Sequence, residues 1–546
     1  MRIGLSFSTL GLLFAASFFA FSLTPSLIPR TDSMQGIISG FSLAAGYGVG
    51  FCISWLWSAV ELPQPMGNSR RLLRWLAVLF CVLLVLGFLW KATGWQNAIR
   101  LLMGMEPVSG VRPLTIGFVA GLTFAVLLAL ARLFRHTFAV ISHRLERLVP
   151  RRVSLLLGLL SAVAIFWAIT NDVLLSAALR ATDAAYRTLD EHMEPDLPAP
   201  SRGDKAGGPG SLLRWRDMGH QGRRYLGLGP TAREIAEVAG ESPVARDPVR
   251  VYVGLNAAKT PKQRARLALQ ELKRVGGFDR SVLVLITPTG TGWVDPGGIN
   301  SVEFLFRGDI ASVAAQYSYL PSPIALMTEG AYGVETARAL FREIYGHWRR
   351  LPPETRPRLY LFGLSLGAMN SDRSFDLYDI IDDPFDGALW VGPPFRSDTW
   401  REITRERDPG SPAWLPIFRG GAVVRFGNQE GGYDRGESPW GNFRIAYLQY
   451  ASDPIVFFEP EAAYRKPAWM NPPRGPDVSP DLHWYPVVTM LQLGADMQTG
   501  TAPVGFGHNY APADYLRAWL ALAEPPGWSA QDLDRLRRKL SQRNPH

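Results

Sequence analysis

The sequence predicts an α-helical membrane bundle of about five transmembrane helices, followed by an α/β domain built on a mostly parallel, doubly wound sheet. Three observations predict it. Residues from the N-terminus to about 175 are mostly long apolar runs. From Val249 onward, short β-branched runs alternate with amphipathic segments. Between the two lies a stretch rich in Pro, Gly, Ser and charge, PDLPAPSRGDKAGGPGS at 195–211. The 546 residues therefore divide into a membrane domain at 1–178, a connector at 179–245, the α/β domain at 246–530 and a basic tail at 531–546.

Five stretches are long enough to cross a bilayer core of about 30 Å, which takes about 20 helical residues. They are Leu5–Leu23, Met34–Trp57, Leu72–Trp90, Leu114–Phe134 and Val153–Leu175. Only Arg2 precedes the first, and Pro25 and Pro29 interrupt the region where a cleavage site would stand. It reads as a retained helix rather than a signal peptide. Arg70, Arg71 and Arg74 fall between spans two and three, and Arg132, Arg135, Arg144, Arg147, Arg151 and Arg152 between spans four and five. The alternate loops carry only Arg30, then Lys91, Arg100 and Arg112. The positive-inside rule places the richer loops in the cytoplasm. An odd count of spans then puts the α/β domain on the extracytoplasmic side of the cell membrane.

Span two holds Gly36-x-x-x-Gly40 and Gly46-x-x-x-Gly50. Small residues four apart let helices approach closely. Packing within one bundle is the plainer use, and a homodimer face on this helix is the alternative. Asp172 is the acidic residue of the spans and sits near an end. With no charge deep in a span, a pump or proton relay is not expected.

The formal charge is +9, but much of the excess flanks apolar spans. The expected partner is the lipid bilayer, not nucleic acid. Cys52 and Cys81 both lie in apolar spans. The α/β domain thus lacks a cysteine nucleophile, a zinc–thiolate site and a disulfide framework, and neither metal nor cofactor is expected. In the connector, Leu213–Gly229 mixes aromatics with arginines, which fits either headgroup contact or docking on the α/β domain.

Strands are expected at Val249–Val253, Ser281–Ile286, Arg358–Gly363, Gly387–Val391 and Phe443–Tyr450, and helices at Pro261–Val275, Val334–Arg349 and Ala513–Ala523. In such sheets, sites gather at the carboxyl ends of strands. There stands Gly363-Leu364-Ser365-Leu366-Gly367, directly after the RLYLF strand. A G-x-S-x-G string belongs on a sharp strand-to-helix turn that exposes the serine hydroxyl. The hydroxyl needs an adjacent base. His508, in the glycine loop GFGH before the last expected helix of the domain, is the candidate; His483 reads as structural. Asp453 follows the FRIAYLQY strand, where a carboxylate can orient the imidazole. Asp382, Asp383 and Asp386 read as loop or capping residues. An oxyanion hole is expected from the backbone of Leu366 and from Gly290 and Thr291 in the loop TPTGTGW. That loop lacks the Lys-Ser/Thr ending of a P-loop, so no nucleotide site is expected.

These blocks resemble a family of bacterial membrane-anchored α/β-hydrolases, with an N-terminal membrane domain joined to an α/β-hydrolase catalytic domain. The likeness rests on TPTGTGWVDPGG (287–298), LFGLSLGAMNSDRS (361–374), SDPI (452–455), RGPDVSPDLHWYPVVT (474–489) and GHNY (507–510). It implies an α/β-hydrolase fold and a serine hydrolase. The His-Gly-Gly-Gly loop of common lipases is replaced here by Thr-Gly-Thr-Gly.

The expected activity is that of a lipase-like serine esterase acting on lipid or cell-envelope acyl esters. Acyl transfer to a lipid or glycan hydroxyl is the alternative, and a non-catalytic scaffold ranks third. The long segment between Asp453 and His508 carries many aromatics and reads either as a lid or acyl-binding wall or as packed surface. Trp293, Phe457, Trp469 and Trp484 are the candidate substrate contacts.

Overall fold

A computed structural model describes residues 8–63, 67–171, 176–239, 245–321, 324–325, 330–498 and 500–543. Leu5–Phe7 and Asp172–Leu175 of the expected spans, and Asn544–His546 of the expected tail, lie outside the described residues. The chain forms two compact units. One comprises Met1–Arg180 with Phe458–Pro503, the other Ala181–Phe457 with Val504–His546. Residues of the connector group with the α/β unit, and the segment Phe458–Pro503 groups with the helices.

In the first unit, α1 (Thr9–Ser22), α2 (Asp32–Ala59), α3 (Gly67–Leu102), α4 (Pro113–Leu145) and α5 (Arg151–Ala168) are made of apolar helix-forming runs. Ser8 caps α1 by accepting from the Gly11 N–H, and Thr31 caps α2 by accepting from the Met34 N–H. Four helices are long and apolar enough to cross a membrane among the described residues. The sequence expects five. The difference is α1, whose 14 residues reach about 21 Å at about 1.5 Å per residue. The outward placement of the α/β domain depends on counting it. Apolar side chains cover the outer faces of the long helices, with Trp90 86% exposed and Leu114 89%. Such a surface is of the kind that a membrane-crossing helix presents.

The glycines of α2 serve contacts inside the chain. A Cβ on Gly36 would meet Val119 Cβ at 2.6 Å, and one on Gly40 would meet Thr123 Cβ at 2.5 Å, both on α4. On Gly46 and Gly50 it would meet the carbonyl oxygens of Phe14 and Leu10 on α1, each at 2.4 Å. All four glycines thus serve close contacts with α4 or α1 of the same chain, the plainer use read from the sequence.

Phe458–Pro503 packs on the connection between α1 and α2. Asp496 is fully buried and accepts from the Ser26 hydroxyl, the Leu27 N–H at 3.1 Å and Arg30 Nε at 2.7 Å. Gln492 Nε2 donates to the Ser22 and Thr24 carbonyls, and Tyr485 stacks on Phe21 with ring centroids 4.3 Å apart. The segment is therefore part of the helical unit rather than a free lid.

The second unit holds a seven-stranded parallel sheet in the order β1-β3-β2-β4-β5-β7-β6. Its strands are β1 (Val249–Val253), β2 (Val282–Thr287), β3 (Ile310–Ala315), β4 (Arg358–Leu364), β5 (Gly387–Val391), β6 (Val424–Gly427) and β7 (Arg444–Leu448). The strands are buried almost throughout, as a parallel sheet covered on both faces requires. The sequence reading had five of these strands and missed β3 and β6. The helix Pro512–Ala523 lays Tyr515, Leu516 and Trp519 into the core with Phe362 of β4.

The connector is folded. Trp215, Met218 and Tyr225 are buried, and Tyr225 and Ile235 join the main core of the sheet unit. Docking, not headgroup contact, is what its aromatics do. Residues Ala530–Arg543 form a helix whose Leu536 and Leu540 are fully buried in that core, and Arg543 pairs with Glu234.

Asp496→Ala leaves the Arg30 guanidinium buried without its counter-charge, at a cost of about 3–5 kcal/mol. Thermal unfolding in detergent should show that loss, and a much smaller one for Arg30→Met combined with Asp496→Leu. Equal losses would refute the pairing.

Candidate active site

The end of β4 is shaped by two glycines. A Cβ on Gly363 would lie 2.5 Å from the Gly367 carbonyl group, and a Cβ on Gly367 would lie 2.2 Å from the Thr287 oxygen at the end of β2. Only glycine lets strand, helix and neighbouring strand approach this closely. Between them Ser365 takes φ 56° and ψ −125°, a strained conformation for a residue with a side chain, at the start of the helix Leu366–Asp372. Its N–H donates to the Val391 carbonyl at 2.8 Å, and its carbonyl accepts from the Ala368 N–H at 2.9 Å. The turn is therefore pinned to β5 on one side and to its own helix on the other. The Leu366 N–H, next to the serine, donates to no group among the described residues.

Asp453 and His508 meet at the end of β7. His508 Nδ1 stands 2.7 Å from Asp453 Oδ2, which also accepts from the Tyr510 hydroxyl at 2.6 Å. The Ile455 N–H donates to Oδ1 at 2.8 Å. A fully buried carboxylate accepting three hydrogen bonds is well compensated. Because a carboxylate can only accept, Nδ1 carries the proton, and Nε2 is left as the acceptor. Nε2 is buried and has no hydrogen-bond partner among the described residues. Burial pushes the Tyr510 phenol far up from its ordinary value, with the Asp453 charge adding to the effect, so Tyr510 stays a donor.

The His508 loop is built to hold this ring. Gly505 and Gly507 adopt φ 91° and 58°. The Gly507 N–H donates to the Ser452 hydroxyl at 2.9 Å, which ties the loop beside Asp453. The ring lies over Gly392, where a Cβ would come within 2.7 Å of His508 Cε1. Gly392 follows Val391, whose carbonyl receives the Ser365 N–H. The imidazole thus stands over the end of β5, the strand beside the one that presents the serine.

Asp382, Asp383 and Asp386, the acids of the loop before β5, have structural work. Asp382 pairs with Arg349, Asp383 with Arg356, and Asp386 Oδ2 accepts from the Leu359 N–H at 2.7 Å. His483 is exposed and bonds through Nδ1 with the Asp481 carbonyl.

The loop after β2 closes on itself. The Thr289 N–H donates to the Trp293 carbonyl at 3.0 Å, and the Gly292 N–H to the Thr289 carbonyl at 2.9 Å. Gly290 and Thr291 are the two middle residues of that turn. The Thr291 N–H donates to no group among the described residues. Trp293 is half-buried against the core. Phe457 is buried edge-on against Trp400, as core rather than as an open wall. Trp469 is buried and Trp484 donates to the Ala462 carbonyl, both in the Phe458–Pro503 segment of the helical unit.

Sequence reasoning missed Tyr510 and Gly392. Tyr510 was within reach of it, as a hydroxyl two residues after the candidate base. Gly392 was not, because only the tertiary fold brings His508 above it. Tyr510→Phe removes one donor to the Asp453 carboxylate, worth about 1.5 kcal/mol, and should lower turnover by about tenfold. Gly392→Ala pushes the imidazole aside and should cost about 100-fold or more, since a misplacement of about 1 Å can cost that much. Undiminished turnover in a folded Gly392→Ala variant would refute this ring position.

Residues 249–536 match the family model described as the alpha/beta-hydrolase family, and residues 23–230 match that of an alpha/beta-hydrolase family N-terminus. No curated protein and no solved structure matches. The first match alone spans more than half of the sequence, and the chain belongs to the alpha/beta-hydrolase family.

Proposed function

We propose that the protein is a membrane-anchored serine hydrolase that cleaves carboxylic esters, with lipid or cell-envelope acyl esters as its substrate class. The observation that carries the reading is the state of His508. Its Nδ1 is committed to the buried Asp453, and its Nε2 is buried and free over the strand end beside Ser365. Nε2 makes no hydrogen bond to the Ser365 hydroxyl in this state, and catalytic hydrogen bonds of this kind often tighten only when substrate binds; the fixed tautomer is what a general base needs before it takes a hydroxyl proton.

In this mechanism the Ser365 oxygen attacks the ester carbonyl while His508 Nε2 accepts its proton. Asp453 stabilises the resulting imidazolium and holds its orientation. The N–H groups of Leu366 and of Thr291 or Gly290 stabilise the oxyanion. Collapse expels the alcohol, which leaves with the proton from His508. Water, deprotonated by the same imidazole, then releases the acid from the acyl-enzyme. Four helices among the described residues are long and apolar enough to cross a membrane, which supports a substrate class found in bilayers.

Purified protein in detergent, assayed on p-nitrophenyl esters of increasing acyl length, tests the reading. Ser365→Ala and His508→Ala should each lose about 10³-fold or more in kcat/KM, and medium or long acyl chains should be preferred over acetate. Turnover retained by Ser365→Ala would overturn the assignment.

A further inference from the structure

The turn that carries the second set of oxyanion donors is held from outside by two buried side chains that no part of the proposed mechanism has used. Tyr252 lies on β1 and is fully buried. Its hydroxyl donates to the Gly292 carbonyl at 2.7 Å. Burial pushes the phenol far up from its ordinary value, so it is a permanent donor. Gln316, just beyond β3 and also fully buried, places its Nε2 3.4 Å from the Thr291 carbonyl and 3.2 Å from that of Ser318. Its own amide is fixed, because Oε1 accepts from the Leu255 N–H and its backbone N–H donates to the Val253 carbonyl.

Gly292 fits between the two. It has φ 85°, and a Cβ there would meet Tyr252 Oη at 2.4 Å and Gln316 Cγ at 2.9 Å. The turn closes by the bond from the Gly292 N–H to the Thr289 carbonyl, so the peptide between Gly290 and Thr291 is its central one. The central peptide of a β-turn is the part that can flip, since the two common turn types differ mainly in its orientation. Its N–H is that of Thr291, which has no partner within the described residues. A β-branched residue at Thr291 opposes the flipped form, which needs positive φ there. The two bonds to the Thr291 and Gly292 carbonyls fix the peptides that follow.

We propose that Tyr252 and Gln316 are positioning residues for the oxyanion hole. Through the carbonyls of Gly292 and Thr291 they fix the turn so that the Thr291 N–H faces the oxygen of the ester attacked by Ser365. The proposal rests on the serine-hydrolase reading of that site. It adds that the edge of the sheet farthest from β6, which bears no part of the Ser–His–Asp set, controls transition-state stabilisation.

The test uses the full-length protein in detergent with Tyr252→Phe, Gln316→Leu and Thr291→Gly. The last keeps both outside bonds and frees the central peptide, so it serves if the buried variants fail to fold. Each is assayed for kcat and KM on one p-nitrophenyl ester and for inhibition by an alkyl trifluoromethyl ketone, which presents an oxyanion when bound. The expected result, in variants that remain folded, is a kcat lower by about 10- to 100-fold at unchanged KM, with the inhibition constant rising by the same factor. A merely structural role would not make the two losses track each other. If folded variants keep kcat within about twofold while Ser365→Ala is inactive, this proposal fails and the hydrolase reading stands. If Ser365→Ala is active, both fall.

Discussion

The carboxylate of Asp453 is the group around which the sheet unit is organised. It is fully buried, and the groups that meet it are His508 Nδ1, the Tyr510 hydroxyl and the Ile455 N–H. A charge removed from water needs such partners, or it neutralises itself. Each partner comes from a loop that must close correctly. Tyr510 and His508 come from the glycine loop before the helix Pro512–Ala523, and Ile455 from the turn after Asp453 itself. Satisfying one buried charge therefore fixes the imidazole, and the Gly507 N–H on Ser452 makes the same loop closure twice over.

The serine is held by different means. No ion pair is involved at Ser365; instead, close packing of backbone on backbone leaves room for glycine alone at 363 and 367. The positive φ of Ser365 is strain that the surrounding bonds to β5 and to its own helix sustain. One part of the candidate site is thus set by steric exclusion and the other by charge compensation. They adjoin because β4 and β5 are neighbours in the sheet.

Features that depend on local chemistry were legible in the sequence. Gly363–Gly367 after an apolar strand, the glycine loop around His508, and the acid at a strand end all announce their geometry within a few residues. Five strands showed themselves through β-branched or aromatic runs. β3 did not, because IASVAA is half alanine and β propensity comes mostly from larger side chains. β6 is a four-residue edge strand, too short to show a period. The allegiance of Phe458–Pro503 was also hidden, since it turns on Arg30 meeting Asp496 across 466 positions of sequence. The four α2 glycines were read correctly as close-contact residues. Which helices they contact is a tertiary fact that spacing does not carry.

The most direct test of the central claim is to find where a serine-reactive fluorophosphonate attaches. Trypsin should release the peptide between Arg358 and Arg373, which contains Ser365 and Ser371. Tandem mass spectrometry is expected to place the phosphonate on Ser365 alone, with the adduct greatly slowed in His508→Ala. Attachment at Ser371 or on another peptide, or unslowed labelling without the imidazole, would contradict the account.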